Sequence, residues 1–398
     1  MRLESLRLKN FRAFRDARMD NIPRFSVLVG ANGTGKSTLF SVFGFLRQAM
    51  ATNVNVALAM LGGPRGFAEV RSRNATGPIE IVIKFRQGDG APLVTYCLQL
   101  DEHDGKAYVA REILSYRRGS HGQPWHFLDF TDGHGAAITN EAATHAQDFD
   151  ERSLQREQQM LKANDILAIR GLAQFANFPV VVALGSMIES WYVSDFHIDK
   201  ARPERELAYA EHLSREGENL SLVLQYLHDS HRPIFDHILR QLSRRIPGLS
   251  QVEAKTTEEG RVLLKFRDGA FEEPFLARHV SDGTIRMLAY LVLLNDPAPY
   301  PLLCVEEPEN QLYHSLLEEL AEEFRDYARR GGQVMVSTHS PDFLNAAQAQ
   351  EVFLLVKKDG YTTIRQASRD NQIQAYMQDG DKMGSLWRQG LLQMNETP

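Results

Sequence analysis

The chain of 398 residues is 43% apolar and 24% charged, a profile that excludes dominant disorder and provides for two to three domain-sized cores. Its formal charge of −6 excludes a general attraction to phosphate backbones, so any nucleic-acid contact would need a local basic stripe. Two cysteines, Cys97 and Cys304, sit far apart in apolar stretches; they exclude a cysteine-based zinc site and read as reduced, buried thiols of a cytosolic protein.

The opening "MRLESLRLKNF" alternates charge with leucine instead of leading into an apolar core, and no later run reaches about 18 uninterrupted apolar residues, so neither export nor membrane insertion is expected and the location is cytoplasmic. This arm carries Arg2, Arg7, Lys9, Arg12, Arg15, Arg18 and Arg24 against Glu4, Asp16 and Asp20. Two readings stand: a solvated hairpin face, or a surface along which DNA lies.

A short apolar strand over Phe25 to Val29 then runs into Gly30-Ala31-Asn32-Gly33-Thr34-Gly35-Lys36-Ser37-Thr38 and an apolar stretch at helical spacing. This is the full Walker A pattern in strand-loop-helix context. The glycines let successive N–H groups wrap around nucleotide phosphates at a helix N-terminus, Lys36 neutralises the β- and γ-phosphates, and Ser37 holds Mg²⁺.

Farther along, "IEIVIKFR", "LVTYCLQL" and "KAYVAREILSYRR" alternate between Gly/Asp turns and predict an antiparallel β-subdomain. Residues 118–140 read as loop-rich. "ERSLQREQQMLKANDILAIRGLAQFANF" and "NLSLVLQYLHDSHRPIFDHILRQLSRRI" read as helices, the second broken near Pro233. The predicted organisation is an N-terminal ATPase part over 1–139, a mostly helical insertion over 140–248 and a C-terminal ATPase part over 249–398. Strands "VLLKF" and "EPFLA" lead to "RHVSDGTIRM", a Ser281-Asp282-Gly283 turn that can cap the apolar helix after it. No heptad run is long enough for a coiled-coil arm, and no internal repeat is evident.

The run "YPLLCVEEPENQL" offers an apolar strand ending in Glu306-Glu307-Pro308. A Glu pair ending a strand is by itself an ordinary solvated loop. Beside a phosphate loop in a mainly parallel sheet, however, carboxylates at a strand's C-terminal end are where a metal and an attacking water lie. In the usual pattern the first, Glu306, orients Mg²⁺ and the second, Glu307, positions or deprotonates the water. One helix later, "GGQVMVSTHSPDFL" ends another strand in His339, which can reach a γ-phosphate. The catalytic set is therefore Lys36, Glu307 and His339. Six histidines, at 121, 126, 134, 228, 231 and 237, lack a matching ligand set and are not read as a metal site. Asp379-Gly380-Asp381 is an acidic pair of the kind a Toprim nuclease carries, but the roughly 59 residues after His339 are too few for that domain, and the stretch is read as a turn before a final helix.

Walker A, the Ser-Asp-Gly turn, the strand with Glu-Glu-Pro and the strand ending Thr-His-Ser-Pro occur in that order. Together they resemble the ABC-type ATPase heads of the SMC and RecF group, and more closely the stand-alone bacterial AAA-domain ATPases related to the OLD family; "SLRLKNFRAF" resembles that group's first strand. The motifs cover residues 1 to about 45 and 278–345. The resemblance implies an α/β fold: a P-loop NTPase head of ABC type with an antiparallel β-subdomain and a helical insertion. It also implies that Ser281, Asp282 and Gly283 face the nucleotide on a second head, so that two copies complete each other's sites in a homodimer, or higher even oligomer, with ATP in its interface. Two departures stand out. The signature is not the Leu-Ser-Gly-Gly-Gln of transporter motors, and Glu309-Asn310-Gln311-Leu312-Tyr313-His314 replaces the usual Glu-Asn-Gly-Leu-His-Pro. Gln48 and Gln87 are weak candidates for a Q-loop. The expected function is an ATP-hydrolysing switch that controls a separate effector protein, a nuclease for instance, in antiphage defence. A RecF-like DNA-repair ATPase and an ATP-binding scaffold with little turnover are the rivals.

Overall fold

The computed structural model describes residues 1–88, 90–116, 125–140 and 154–392. The chain forms two compact units: Met1–Trp191 with Ala349–Gln378 and Leu391–Pro398, and Tyr192–Gln348 with Asp379–Gly390. This division cuts at residue 191, inside the segment expected as one helical insertion.

The first unit opens on a hairpin, β1 (Arg2–Phe11) and β2 (Phe14–Asp20). Its register sets Ser5 opposite Asp20 and Phe11 opposite Phe14, so leucines 3, 6 and 8 go inward. After β3 (Phe25–Val29) and helix α1 (Lys36–Ala51) come β4 (Ile79–Arg86), β5 (Val94–His103), β6 (Lys106–Tyr116), β7 (Trp125–Thr131), β8 (His134–Ile138) and β9 (Arg156–Met160). All but β3 join one antiparallel sheet in the order β2-β1-β4-β5-β6-β7-β8-β9. The predicted antiparallel subdomain is thus present and larger than expected. Strict period-2 burial explains it: Ile79, Ile81, Ile83 and Phe85 are buried while the residues between them face outward.

Two expectations are corrected here. The described part of 118–140 is a hairpin, with Asp132 at φ 49° and Gly133 at φ 77° forming the two-residue turn that matches strand twist; residues 118–124 lie outside the described residues. The start of the expected helix at 151–178 is strand β9, which pairs with β8 from His134↔Met160 to Ile138↔Arg156. Arg-Glu-Gln-Gln-Met favours helix locally, but the unfilled edge of β8 overrides that weak preference. A helix at Ala168–Leu172 follows, and Glu112 of β6, wholly buried, accepts from Ile169 N–H at 3.0 Å, from Ala168 N–H, and from Tyr96 O–H at 3.1 Å. β3 is buried along its whole length and pairs in parallel with Val352–Lys358, which turns through Asp359-Gly360 into the antiparallel Tyr361–Gln366.

In the second unit, β10 (Tyr192–Ser194) is followed by β11 (Arg205–Glu206), helices α2 (Leu220–Ser230) and α3 (Arg232–Arg245), and β12 (Leu249–Thr256), β13 (Arg261–Asp268) and β14 (Phe275–Leu276). The expected break falls at His231, and Pro233 occupies the first turn of α3, where its missing N–H costs nothing. Helix α4 (Asp282–Leu294) is buried from Thr284 to its end. Then come β15 (Leu303–Glu306), α5 (Leu317–Arg329) and β16 (Val334–Thr338). β15 runs parallel to both neighbours, β10 and β16. Arg245, at the end of α3, is nearly buried and holds Glu319 (3.1 Å) and Glu323 (2.6 Å) of α5.

Cys304 is buried and Cys97 half-buried; burial pushes both thiols up, that of Cys97 to about 11, so both are protonated. Among the described residues no helix is long and apolar enough to cross a membrane.

Burial pushes the Glu112 carboxyl up to about 7 from an ordinary 4.5, against the lowering effect of its hydrogen bonds. Between these values the unfolded chain releases this proton while the folded chain keeps it, so folding stability contributed by the group falls as pH rises from about 4.5 through about 7. Thermal melts from pH 5 to 8 should therefore show a declining wild-type stability that is flatter in Glu112→Gln; parallel curves for the two proteins would refute the assignment.

Candidate nucleotide site

The phosphate loop leaves β3 at Gly30, where no other residue fits: a Cβ there would stand 2.5 Å from the Leu355 carbonyl oxygen and 2.6 Å from Thr34 Oγ1. Gly33 (φ 77°) and Gly35 (φ 93°) hold the left-handed backbone that wraps the loop. Thr34 ties it together, its hydroxyl donating to Ala31 O at 2.8 Å while its own carbonyl accepts from the Thr362 hydroxyl at 2.8 Å. Lys36 is buried, its ammonium folded onto Gly30 O (2.8 Å) and Ala31 O (3.2 Å). Ser37 is exposed and Thr38 half-buried in the first turn of α1. All nine predicted loop residues therefore lie in one turn-and-helix start within the first unit.

The second unit holds the acids, His339 and the signature turn. β15 delivers Glu306 at its end, and Glu307 leaves it with φ 44°, a left-handed conformation that is strained for a residue with a side chain. Its N–H donates to Ser337 O at 2.8 Å, and its side chain meets His339 Nε2 through Oε1 at 3.1 Å and Asn310 Nδ2 through Oε2 at 3.1 Å. Glu307 and His339, each a candidate catalytic residue from the sequence, are in contact.

What positions His339 was not foreseen. Glu309 Oε1 accepts from Thr338 Oγ1 (2.8 Å), His339 N–H (2.7 Å) and Ser340 N–H (3.2 Å), and Trp387 Nε1 donates to His339 O at 3.1 Å. Gly384 lies so close beneath that a Cβ would be 1.9 Å from Pro341 O. The expected turn and final helix do occur, the helix spanning Met383–Arg388, and they brace the histidine loop; Asp379 and Asp381 are exposed. The Glu-Pro-Glu spacing after β15 was a usable signal for Glu309. Trp387, 48 residues from His339, left none.

Ser281 caps α4, accepting from Thr284 N–H at 3.3 Å, and Asp282 pairs with Arg202. The capping role is therefore real, and it leaves Ser281 exposed. Gly283 is required by close approach, since a Cβ there would be 2.7 Å from the carbonyl oxygen of Gln311, itself at φ 65°. The signature turn and the divergent segment after the acids thus touch within one unit.

Neither glutamine considered for a Q-loop follows a parallel strand: Gln48 lies within α1, bonded to Thr52, and Gln87 follows β4 of the antiparallel sheet. Asp195-Phe196-His197 follow β10 instead, one step past the pairing of Ser194 with Val305. Asp195, His197 and Glu216 bring potential ligand atoms within 4.8 Å of one another, but Arg215 already pairs with Asp195 (3.5 Å) and Lys200 with Glu216 (2.6 Å). Of the six histidines set aside earlier, His126 bonds Asp129, His228 bonds Asp229 and His231 bonds Tyr226, while His121 lies outside the described residues.

This fold and these motifs define an ABC-type, SMC-like P-loop ATPase. The chain belongs to the AAA_21 family, described as "AAA domain, putative AbiEii toxin, Type IV TA system", which matches residues 25–345. A crystal structure of the SmcHead bound to the C-winged helix domain of ScpA is similar, with a TM-score of 0.55 at 16% identity over 92% of this chain and 97% of that one. So is the Smc head domain with an extended coiled coil bound to the C-terminal domain of ScpA derived from Pyrococcus furiosus, with a TM-score of 0.53 at 14% identity over 94% and 99%. At such identities the likeness shows the fold alone. Among curated proteins, no sequence matches the chain.

Glu309 offers a direct test of what holds the histidine loop. Its three accepted bonds to a charged oxygen outweigh the cost of its buried, unpartnered Oε2, by about 1–3 kcal/mol net. Glu309→Ala should lower the melting temperature by a few degrees, at roughly 2–4 °C per kcal/mol. An unchanged melting temperature would contradict this.

Proposed function

We propose that the chain binds ATP with Mg²⁺ and hydrolyses it as a dimerising switch. The observation that carries this reading is Glu307, held in a strained conformation at the end of a buried parallel strand with its carboxylate on His339. Strain of this kind persists where the surroundings over-determine it, and it concentrates at reacting sites.

In this reading Gly30, Ala31, Asn32, Gly33, Thr34 and Gly35 wrap the β- and γ-phosphates with backbone N–H groups, and Thr38 extends that cradle into α1. Lys36 exchanges its contacts to Gly30 O and Ala31 O for phosphate oxygens. The exposed Ser37 hydroxyl and the Glu306 carboxylate are oxygen donors of the type Mg²⁺ takes; when bound, the ion offsets charge on the phosphates. Glu307 takes a proton from water as the water oxygen attacks the γ-phosphorus. The bond from that phosphorus to the β-γ bridging oxygen breaks, and ADP and inorganic phosphate leave. His339, whose backbone N–H and carbonyl are held by Glu309 and Trp387, donates from its ring to a γ-phosphate oxygen.

Ser281, Asp282 and Gly283 serve the nucleotide on a second copy, which makes the working form an ATP-bridged homodimer or a higher even oligomer. Support for this comes from the exposure of Ser281 at the N-terminus of a buried helix. ATP in large excess over its dissociation constant, about a hundredfold, favours the closed form by about 2.7 kcal/mol per site, and hydrolysis removes that bias. Membership in a family described as a putative toxin of a type IV toxin–antitoxin system is compatible with a role in bacterial antiphage defence; in this reading the head holds or releases a separate effector, such as a nuclease.

Glu307→Gln should bind ATP normally while turnover falls by about 10²–10⁴, the usual contribution of a general base; wild-type turnover in this variant would remove Glu307 from the mechanism. Ser281→Arg should abolish cooperative turnover while each copy still binds ATP, and retention of cooperative hydrolysis would rule out the role in trans.

A further inference from the structure

Net charge is −6, yet one cavity of the first unit gathers cations. It measures about 990 Å³ and is lined by Arg12, Arg65, Arg71, Arg73, Lys357 and Tyr361 among others. Two acids, Glu69 and Asp359, also reach it, and Glu69 is taken by Arg65 at 3.3 Å. Arg15 adds a guanidinium over the Tyr361 ring, 5.2 Å from its centre, and Arg71 lies over Phe67 at the same distance. Among the described residues, none of Arg12, Arg15, Arg71, Arg73 and Lys357 has a carboxylate within ion-pair distance.

The contrast within the same hairpin is informative. Arg7 is matched by Asp16 (2.7 Å) and Glu80 (3.5 Å), Arg18 by Asp20 (2.7 Å), and Arg2 and Arg86 share Glu4. Most arginines along the arm are thus matched, as on a solvated face, whereas Arg12 at the hairpin tip, where Arg12 and Ala13 turn the chain into the cavity, has no carboxylate. Burial lowers the Arg12 pKa, so its charge is held there against a desolvation penalty.

We infer that this cavity binds the backbone of single-stranded nucleic acid. Arg12 also donates to Leu61 O, but a neutral base and ribose has no use for four lining cations that lack a carboxylate, and the phosphates of a nucleotide on the loop already have Lys36. Successive phosphodiesters do need them, and the Tyr361 ring and flat guanidinium groups give a base something to stack on. A base is free to stack on protein in this way in a single strand, whereas a duplex keeps its bases stacked on one another. The inference stands apart from the hydrolysis mechanism.

The test is fluorescence anisotropy of labelled single-stranded DNA, single-stranded RNA and duplex DNA with the full chain, over a range of salt, beside filter binding of ATP. The wild-type should bind a single strand, and the source is whichever of DNA or RNA binds more tightly. Arg73→Glu/Lys357→Glu changes two exposed residues and should weaken strand binding more than tenfold, with a salt slope shallower by about 0.7 for each phosphate no longer neutralised, while ATP binding is retained. Tyr361→Leu should weaken strand binding with the salt slope unchanged. No strand binding by the wild-type, or equal binding by the double variant, overturns the inference. So does tighter binding of the duplex through the same residues. Loss of ATP binding in the double variant with strand binding intact would assign the cavity to the nucleotide's own base and ribose.

Discussion

Three short strands admit no polar side chain reaching water along most of their length. Phe25–Val29, Leu303–Val305 and Val334–Val336 are buried at every position, each large apolar side chain contributing about 1.5–3 kcal/mol. Slipping either of the first two by one residue would drive Arg24 or Glu306 into the core or expose a valine, so the point at which each of these strands ends is fixed by burial. The chemistry follows from that constraint. Gly30, Glu306 and Thr338 are where three apolar runs stop, and the loop, the carboxylates and His339 begin there.

Fixing strand ends is not enough to aim side chains, and the second unit adds local strain and its compensation. A non-glycine residue at φ 44° costs about 1–3 kcal/mol, and Glu307 bears it together with Gln311 four residues on. Opposing this is a dense set of bonds: Glu307 N–H to Ser337 O, Asn310 to both the carbonyl and the carboxylate of Glu307, and Glu309 to three donors of the histidine loop. Set against the buried, unpartnered Glu309 Oε2, these bonds are of about the same size as the strain. The same segment lies close against Gly283, so the signature turn takes its position from the loop that carries Glu307.

What sequence reasoning could read divides along the same physical line. Burial patterns and turn chemistry are local, and the glycine-rich loop between strand and helix, the antiparallel strands 79–116 and the cap at Ser281 were all legible from them. The hairpin at 125–138 carried a readable signal in Thr-Asp-Gly-His that the surrounding polar residues obscured. Strand β9 carried none, because Arg156–Met160 is a strand only by virtue of the open edge of β8. Trp387 and Gly384 belong to the site through a contact 48 residues long in sequence, and Thr362 reaches Thr34 across 328. Such contacts are products of the fold and leave no trace in composition or period.

The Thr362 contact also links two parts of the first unit that the sequence keeps apart. Tyr361 lines the basic cavity, and its neighbour donates through its hydroxyl to Thr34 O in the middle of the phosphate loop. The backbone between them is tied down as well, Thr362 N–H to Ala13 O and Tyr361 O–H to Arg73 O. Gly35 stands 3.3–3.6 Å, measured from an ideal Cβ, from Phe14, Ala13 and Thr362, so the loop has no slack on that side. A ligand that moves the hairpin tip or the Tyr361 ring must therefore move the loop or break a bond to it. Because coupling between binding sites is reciprocal, nucleotide on the loop would alter the cavity's affinity by the same factor. The packing around Thr362 is thus the physical route by which an anion in the cavity and a phosphate on the loop would sense each other.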